Sequence, residues 1–326
     1  MKMMKKVKNI DKNMAINTIK DFNFKNKRVL LRVDFNVPMD ESGKIEDDFR
    51  IQQTLPTIKY LLKKQARPVL CSHRSDGKSL APAWKQLEKY MDIDRLVFLE
   101  NLRLEKGEES NSASFAKKLS SLADVYINDA FGVCHRKHAS VVGVPKYLPS
   151  GMGLLLEKEV KALSKVLENP KRPLVAIIGG AKIESKSAVI DNFLKVADSI
   201  LIGGKIGFQL KKKSAKLHLP SDYINDYDIG SETIKEFKKI IAGAGTVVWA
   251  GPMGWFEKKG YEKGTREIAK AIIKSKAFSV VGGGDTLSAL EKFKLRDKFD
   301  HVSTGGGAML SFLAGDKLPG LESLWK

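Results

Sequence analysis

The chain has 326 residues, 43% hydrophobic and 29% charged, a globular mix long enough for about two domains. No apolar run approaches the roughly 18 residues of a membrane helix, and the basic start MKMMKKVKNI leads into no apolar leader core. Only two cysteines occur, Cys71 and Cys134, too few for a disulfide framework, so a cytoplasmic protein is expected, with no membrane attachment.

Basic residues number 57 and acidic residues 38, for a net charge of +19. This excess permits nucleic acid, acidic membranes or anionic small molecules as partners. The lysines are scattered, with short clusters at Met4–Lys8 and Lys211–Lys213, and no nucleic-acid-binding signature accompanies them. A solvated lysine-rich surface is the plainer reading, and a nucleic-acid partner is not expected.

Buried strands are predicted at RVLLRVDF, PVLCSH, RLVFLEN and DVYINDAF, with helices at TLPTIKYLLKKQ, LAPAWKQLEKYM and SASFAKKLSSLA between them. The stretch GMGLLLEKEVKALSKVLENPKRP then reads as a Gly-rich entry, one helix, and a Pro-bounded exit. Beyond it come the strands PLVAIIGG, DSILIGG, TVVWAGP, FSVVGGGD and DHVSTGGG. The helices there are SKSAVIDNFLKVA, SETIKEFKKIIAG, GTREIAKAIIKS and LSALEKFKL. Continuous apolar strands joined by helices call for parallel sheets covered on both faces, with right-handed crossovers. The predicted fold is α/β: two doubly wound, Rossmann-like domains joined by an interdomain helix. The expected boundaries are 1–153, a connecting helix over 154–168, a second domain over 169–312, and a tail over 313–326 returning to the first domain.

Ligands of open α/β sheets sit beyond the carboxyl ends of the strands. In the first half those ends carry Asp34, Asn36, His73, Arg103 and the cluster FGVCHRKHAS. Its Cys134, His135 and His138 suggest zinc, whereas Arg136 and Lys137 suggest an anion and would repel a cation. In the second half the ends are glycine-rich: IIGGAK, LIGGK, WAGPMG, VVGGGDT and STGGGA. Bare backbone opening a helix can cradle phosphate. Asp285 offers a carboxylate for Mg²⁺, Thr286 a hydroxyl, and Lys182 and Lys186 lie four apart on one helical face. One glycine pair is a weak signal, but five in one domain suggest a nucleotide site, although neither G-x-x-x-x-G-K-[ST] nor G-x-G-x-x-G occurs.

The segments LLRVDFNVP, LENLR, LADVYINDAFGVCHRKHASVVG, GLLLEKE, AIIGGAKIESK, VVWAGPMGWFE, GGGDT and HVSTGGGA together resemble the phosphoglycerate kinase family, in its order and over nearly the whole chain. The resemblance implies a glycolytic phosphotransferase with a carboxyl-group acceptor. It would move a phosphoryl group from 1,3-bisphosphoglycerate to ADP with Mg²⁺, giving 3-phosphoglycerate and ATP as its two domains close. It implies a monomer whose partners are phosphoglycerate and an adenine nucleotide. Arg32, Asp34, Asn36, His73, Arg103 and Arg136 would then bind the glycerate substrate, with Arg50 the catalytic arginine. Lys182, Lys186 and Gly305, Gly306 and Gly307 would act on the transferring group. Gly180, Ala181, Lys182, Lys186, Gly203, Gly204, Glu257, Gly284, Asp285 and Thr286 would hold the nucleotide, Glu257 at the ribose and Asp285 at the metal. The cluster at Cys134–His138 is then better read as an anion site than as zinc.

The chain also departs from that family. After CSH, where Leu-Gly-Arg-Pro is usual, it reads RSDGKS, with Asp76 in the register of an arginine. Sequence is compressed between LEKYM and LVFLEN, and more so between GGKIGFQLKKK and DIGSETIKEF, where only SAKLHLPSDYINDY remains of a segment that helps wall the adenine pocket. Ala250 replaces an asparagine, and Lys205 a small residue. Weak discrimination between ADP and GDP or IDP is the expected consequence. Two alternatives stay open: a phosphate-binding protein without efficient turnover, and a nucleic-acid-binding protein on the same scaffold.

Overall fold

A computed structural model describes residues 16–184 and 186–325; the basic start, with its cluster at Met4–Lys8, lies outside the described residues. The chain divides into two compact units, one running up to Glu159 and rejoined by the residues from Lys317, the other Val160–Asp316.

In the first unit the chain runs β1 (Arg28–Arg32), α1 (Phe49–Lys63), β2 (Arg67–Cys71), α2 (Ala81–Glu88), β3 (Val97–Phe98), α3 (Lys106–Glu109), α4 (Ala113–Ser120), β4 (Val125–Asn128), β5 (Ser150–Met152) and the start of α5 (Leu154–Glu168). The strands form one parallel sheet in the order β3-β2-β1-β4-β5, with Leu31 paired to Leu70 on one side and Ile127 on the other. Such strands are apolar throughout because helices cover both faces. Val29, Leu31, Leu70 and Ile127 are buried with Ile51, Ile58 and Leu61 of α1 and Leu87 of α2, each such side chain contributing about 1.5–3 kcal/mol.

The second unit runs β6 (Leu174–Ile178), α6 (Ser187–Val196), β7 (Ser199–Ile202), α7 (Ile206–Gln209), β8 (Leu217–His218), β9 (Tyr223–Ile224), β10 (Asp228–Ile229), α8 (Ser231–Ala242), β11 (Thr246–Ala250), α9 (Lys263–Ser275), β12 (Phe278–Gly282), α10 (Gly284–Lys292), β13 (His301–Val302) and α11 (Gly306–Leu313). Its sheet is parallel, ordered β13-β12-β11-β6-β7-β8, and β9 and β10 form a separate antiparallel pair. Val247, Trp249, Val281 and Ile177 meet Phe237, Ile241, Ile268 and Ile272 in its core. No described helix is long and apolar enough to cross a membrane.

Three helices begin earlier than their apolar pattern predicts. Helix α1 starts at Phe49 rather than near Thr54, leaving Pro56 inside it; a proline there looks like a helix start, since its fixed φ and missing N–H suit the first turn. Helices α10 and α11 start on Gly284 and Gly306. Glycine carries no helical pattern, so periodicity alone does not reach these first turns. All three early starts bring site residues onto helix N-termini.

Candidate functional site

In the first unit, Arg32 ends β1, His73 follows β2, and Arg103 lies in the turn after β3, so parallel pairing alone carries them to one end of the sheet. Arg50, in the first turn of α1, places Nη1 3.3 Å from Asp34 Oδ2 and donates to the Asn36 carbonyl at 2.7 Å. Asp34 is only 5% exposed. Burial raises its pKa, but Arg50, His73 and Arg32 outweigh that, and the carboxyl stays below its ordinary range. Asn36 holds the loop after β2 from both sides: its Nδ2 donates to Ser75 Oγ at 3.0 Å, and its Oδ1 accepts from Ser75 N at 3.1 Å. Arg103 Nη1 donates to the same Ser75 Oγ at 3.2 Å.

Arg103 has Nε 3.0 Å from Glu109 Oε1, while its buried Nη2 has no hydrogen-bond partner. Burial lowers its pKa, and Arg136 and Arg32 lower it further against the pull of Glu109. His73, 3% exposed, is driven to about 3 by burial and then by Arg32, with Arg103 and Arg136 adding to it against Asp34. Arg136 is exposed. Several cations thus press on one another around a neutral imidazole. An arriving anion relieves that repulsion and meets unused N–H donors.

Arg32 stands beneath this patch rather than facing it. It is fully buried, with Nε donating to Ser140 Oγ at 2.9 Å, Nη1 to the Val33 carbonyl, and Nη2 3.3 Å from His73 Nδ1. Ser140 in turn donates to the buried Glu108, from N at 2.9 Å and from Oγ at 2.6 Å. Arg74 is also engaged: Nη2 meets Asp76 Oδ2 at 2.5 Å and Nη1 donates to the Ser79 carbonyl at 2.8 Å. The zinc reading finds no support in the geometry. Cys71 and Cys134 are fully buried, and burial pushes both thiols up to about 12. Among the described residues no three His, Cys, Asp or Glu side chains are grouped to hold a metal.

In the second unit a cavity of about 250 Å³ opens at the carboxyl ends of β6, β7, β11 and β12. Gly180, Ala181, Gly204, Glu257 and Asp285 line it. Gly180 has φ +101° and nothing within 4 Å of where a Cβ would stand. It needs glycine for its backbone, and leaves the space open. Behind it Gly179 and Gly251 touch so closely that a Cβ on Gly251 would come 2.1 Å from the Gly179 carbonyl oxygen. Lys186 is held below the ordinary lysine range by burial, with Asp285 pulling the other way. Lys182 is exposed nearby in sequence, beside Ala181. Gly203 is buried next to Gly204, and Gly284 is exposed at the start of α10.

Thr286 and the glycines at Gly305–Gly307 stand off the cavity lining. Thr286 is buried, and its Oγ1 accepts from Gly251 N at 2.7 Å, fastening the turn after β11. Gly305, Gly306 and Gly307 are not among the residues lining the cavity. They open α11, and a Cβ on Gly306 would lie 3.1 Å from Gly283 Cα, so the first turns of α10 and α11 run side by side. Sequence reasoning also missed Lys205, Asp226, Tyr227 and Trp255 as cavity lining. Asp226 and Tyr227 belong to the shortened segment expected to leave the wall open. The signal for them was its aromatic content, and the turn pattern Asn225-Asp226 between two short strands.

The phosphoglycerate kinase family model matches residues 19–96, 84–219 and 208–316. Its matches change over within 84–96 and 208–219, at the two stretches where the sequence is compressed. The phosphoglycerate kinase of Finegoldia magna is 41% identical over an alignment of 389 residues, covering 94% of this chain and 98% of the relative. That of Aquifex aeolicus is 40% identical, with 94% and 98% covered. The structure of phosphoglycerate kinase from Coxiella burnetii superposes with a TM-score of 0.83 at 35% identity, over 95% of this chain and 99% of that one. The crystal structure from Pyrococcus horikoshii gives 0.85 at 31% identity, over 94% and 98%. With the family model covering most of the residues and relatives of this identity matched end to end, the chain belongs to the phosphoglycerate kinase family.

Proposed function

We propose how the residues of this chain divide the work of its reaction, the glycolytic transfer of a phosphoryl group between 1,3-bisphosphoglycerate and ADP. The cavity at the ends of β6, β7, β11 and β12 carries the reading: open glycine backbone and the Asp285 carboxylate line it, with the half-buried Lys186 in electrostatic reach of that carboxylate, a setting into which a nucleotide's phosphates fit. Gly180 and Gly204 let the diphosphate approach the main chain, and Glu257 accepts from the ribose hydroxyls. Lys186, and Lys182 from the exposed side, neutralise the oxygens of the transferring group. The N–H groups at the start of α11 supply a further cradle for it.

In the first unit Asp34 and Asn36 accept from the glycerate hydroxyl, while Arg103, Arg136 and His73 receive its phosphate and carboxyl oxygens. Arg50, anchored on Asp34, supports the acyl phosphate. No side chain forms a bond to the substrate, because phosphoryl transfer asks for positioning and charge stabilisation. Asp285 fits Mg²⁺: it is one exposed carboxylate on the cavity lining, and this ion is held by one or two carboxylates together with substrate phosphates. Asp285 would hold the ion, which would supply positive charge to offset that of the phosphates.

We read the protein as a cytoplasmic monomer acting on small molecules. The test is formation of ATP from 1,3-bisphosphoglycerate and ADP by the purified chain, with and without Mg²⁺. Turnover that EDTA abolishes and Mg²⁺ restores supports the reading. Absent turnover, together with RNA binding that weakens steeply with salt, would favour the nucleic-acid alternative.

A further inference from the structure

Glu108 has no part in the division of work above, yet it is a fully buried carboxylate in the first unit. It and Glu109 end α3 and turn opposite ways. Glu109, its side chain 58% exposed, meets Arg103 Nε, while Glu108 turns inward. A carboxylate taken out of water needs donors. Ser140 supplies two, from N to Oε2 at 2.9 Å and from Oγ to Oε1 at 2.6 Å. The Tyr126 hydroxyl donates to the Ser140 carbonyl at 2.7 Å, so the residue carrying those donors is itself fixed. His138 Nδ1, 3.8 Å from Glu108 Oε1, is too distant for a hydrogen bond.

Proton counting then sets the direction of every bond from Glu108 to His73. A guanidinium donates and never accepts, so Ser140 Oγ is the acceptor for Arg32 Nε at 2.9 Å. The single hydrogen of that hydroxyl is left for Glu108. With Nε on Ser140 and Nη1 on the Val33 carbonyl, the Arg32 fork has one orientation. Its Nη2, 3.3 Å from His73 Nδ1, presents an N–H there, so Nδ1 must offer a lone pair. Burial and then Arg32 drive His73 to about 3, with Arg103 and Arg136 adding to it against Asp34, so near neutral pH the ring has one proton. That proton falls to Nε2, which has no hydrogen-bond partner among the described residues and is not sealed in the interior.

We infer that Glu108, acting through Ser140 and Arg32, is a positioning residue that holds His73 as its Nε2–H tautomer, so that the ring donates to an oxygen of the phosphoglycerate anion. An imidazole with its proton on Nδ1 would turn a lone pair toward that anion and repel it. The inference rests on the reading of His73 as a substrate residue given above.

The tautomer is read by nitrogen–proton correlation spectra of the full chain labelled at histidine, with His73 assigned by its loss in His73→Gln. A protonated Nε2 and an unprotonated Nδ1 are expected in the free protein near neutral pH. A proton on Nδ1, or a mixture of both forms, overturns the inference, and this reading requires no altered chain to fold. Ser140→Ala removes the hydroxyl that joins Glu108 to Arg32 and should let the ring sample both forms. Calorimetric affinity for 3-phosphoglycerate should then fall about tenfold, the loss of one charge-assisted hydrogen bond worth about 1.4 kcal/mol. Glu108→Gln keeps the shape but sets an amide NH₂ against one Ser140 donor, and should act alike. In a chain that already carries His73→Gln, Ser140→Ala should cost less than about twofold, since no ring is left to orient. Equal losses in both backgrounds would mark a purely structural role and overturn the inference. If the Nε2–H form depends on Ser140 but the unaltered chain does not bind 3-phosphoglycerate, the substrate reading of His73 falls and the tautomer assignment stands.

Discussion

In the first unit the groups at the carboxyl end of the sheet are already engaged with one another: Arg50 with Asp34, Arg103 with Glu109 and Ser75, Arg32 with Ser140 and through it Glu108. In the second unit the same end of the same kind of sheet offers glycine backbone around an open cavity, with Lys186 beside Asp285. The first arrangement stores positive charge, so it needs counter-charges and buried hydrogen bonds to exist without a ligand. The second needs only backbone shape. The two should therefore fail in different ways, the first when a charge is removed and the second when a Cβ is added.

The largest effect is expected from Arg50→Ala. Loss of one preorganised charge at the transferring group should lower kcat by about 10²–10³-fold. Stability should fall as well, because Asp34, 5% exposed, loses its nearest cation and stays buried. Measuring kcat alongside thermal melting separates the two effects. If kcat stays within about threefold while Tm drops, Arg50 serves Asp34 and not the substrate.

Gly180→Ala makes the matching change in the second unit. Nothing stands within 4 Å of the new methyl, so no clash is created, but φ +101° becomes strained and the methyl projects into free space at the cavity. A loss of about 1–2 kcal/mol in stability follows from the backbone alone. Nucleotide affinity is expected to fall about tenfold, as when one well-placed contact worth about 1.4 kcal/mol is lost. Calorimetry with Mg-nucleotide reads this directly. Unchanged affinity would mean that the diphosphate does not run past Gly180.

These two residues also show what could be read from the amino acids. Strands β1–β4, β6, β7 and β11–β13, the helices between them and the charged-versus-glycine contrast follow from periodicity and from residue type at strand ends; β5, β8, β9 and β10, of two or three residues each, are too short to carry a pattern. Roles that depend on depth do not. Arg32 and Arg103 are alike in sequence, yet one is buried under the patch and the other keeps an unused Nη2 within it. Thr286 reads as an open hydroxyl and is a fastener. The wall made by Tyr227 and Trp255 joins positions 28 residues apart through a strained turn, which no local pattern announces.

The pH dependence of stability sharpens the contrast, because the stored charge of the first unit has a titratable neighbour. His73 titrates near 3 in the folded chain and near its ordinary 6.5 when unfolded. Between these values the unfolded state binds the extra proton, so stability is fully present above about 6.5 and falls as pH drops toward 3. His73→Gln should flatten this part of the profile of urea midpoint against pH. Bound 3-phosphoglycerate should flatten it too, since the anion favours the charged imidazole. A profile unchanged by the substitution would place the acid sensitivity elsewhere.

The smallest expected effect concerns Asp76, which holds Arg74 through two hydrogen bonds, from Nη2 and from Nε at 3.1 Å. Its side chain is 45% exposed while that of Arg74 is 9% exposed. Arg74 is thus neutralised and tucked away, one residue before the Ser75 that Asn36 and Arg103 both bind. The resemblance read from the sequence leads one to expect an arginine at position 76, where this chain carries the opposite charge. Asp76→Arg removes that negative charge and adds a cation beside the patch, while the Ser79 carbonyl still holds Arg74 at 2.8 Å. For a partly exposed pair about 1 kcal/mol is at stake, or roughly fivefold tighter binding of 3-phosphoglycerate. Raising salt should erode the gain, as it does for any solvent-exposed charge. Binding that is unchanged at low salt would show that the loop from Arg74 to Ser79 does not face the substrate.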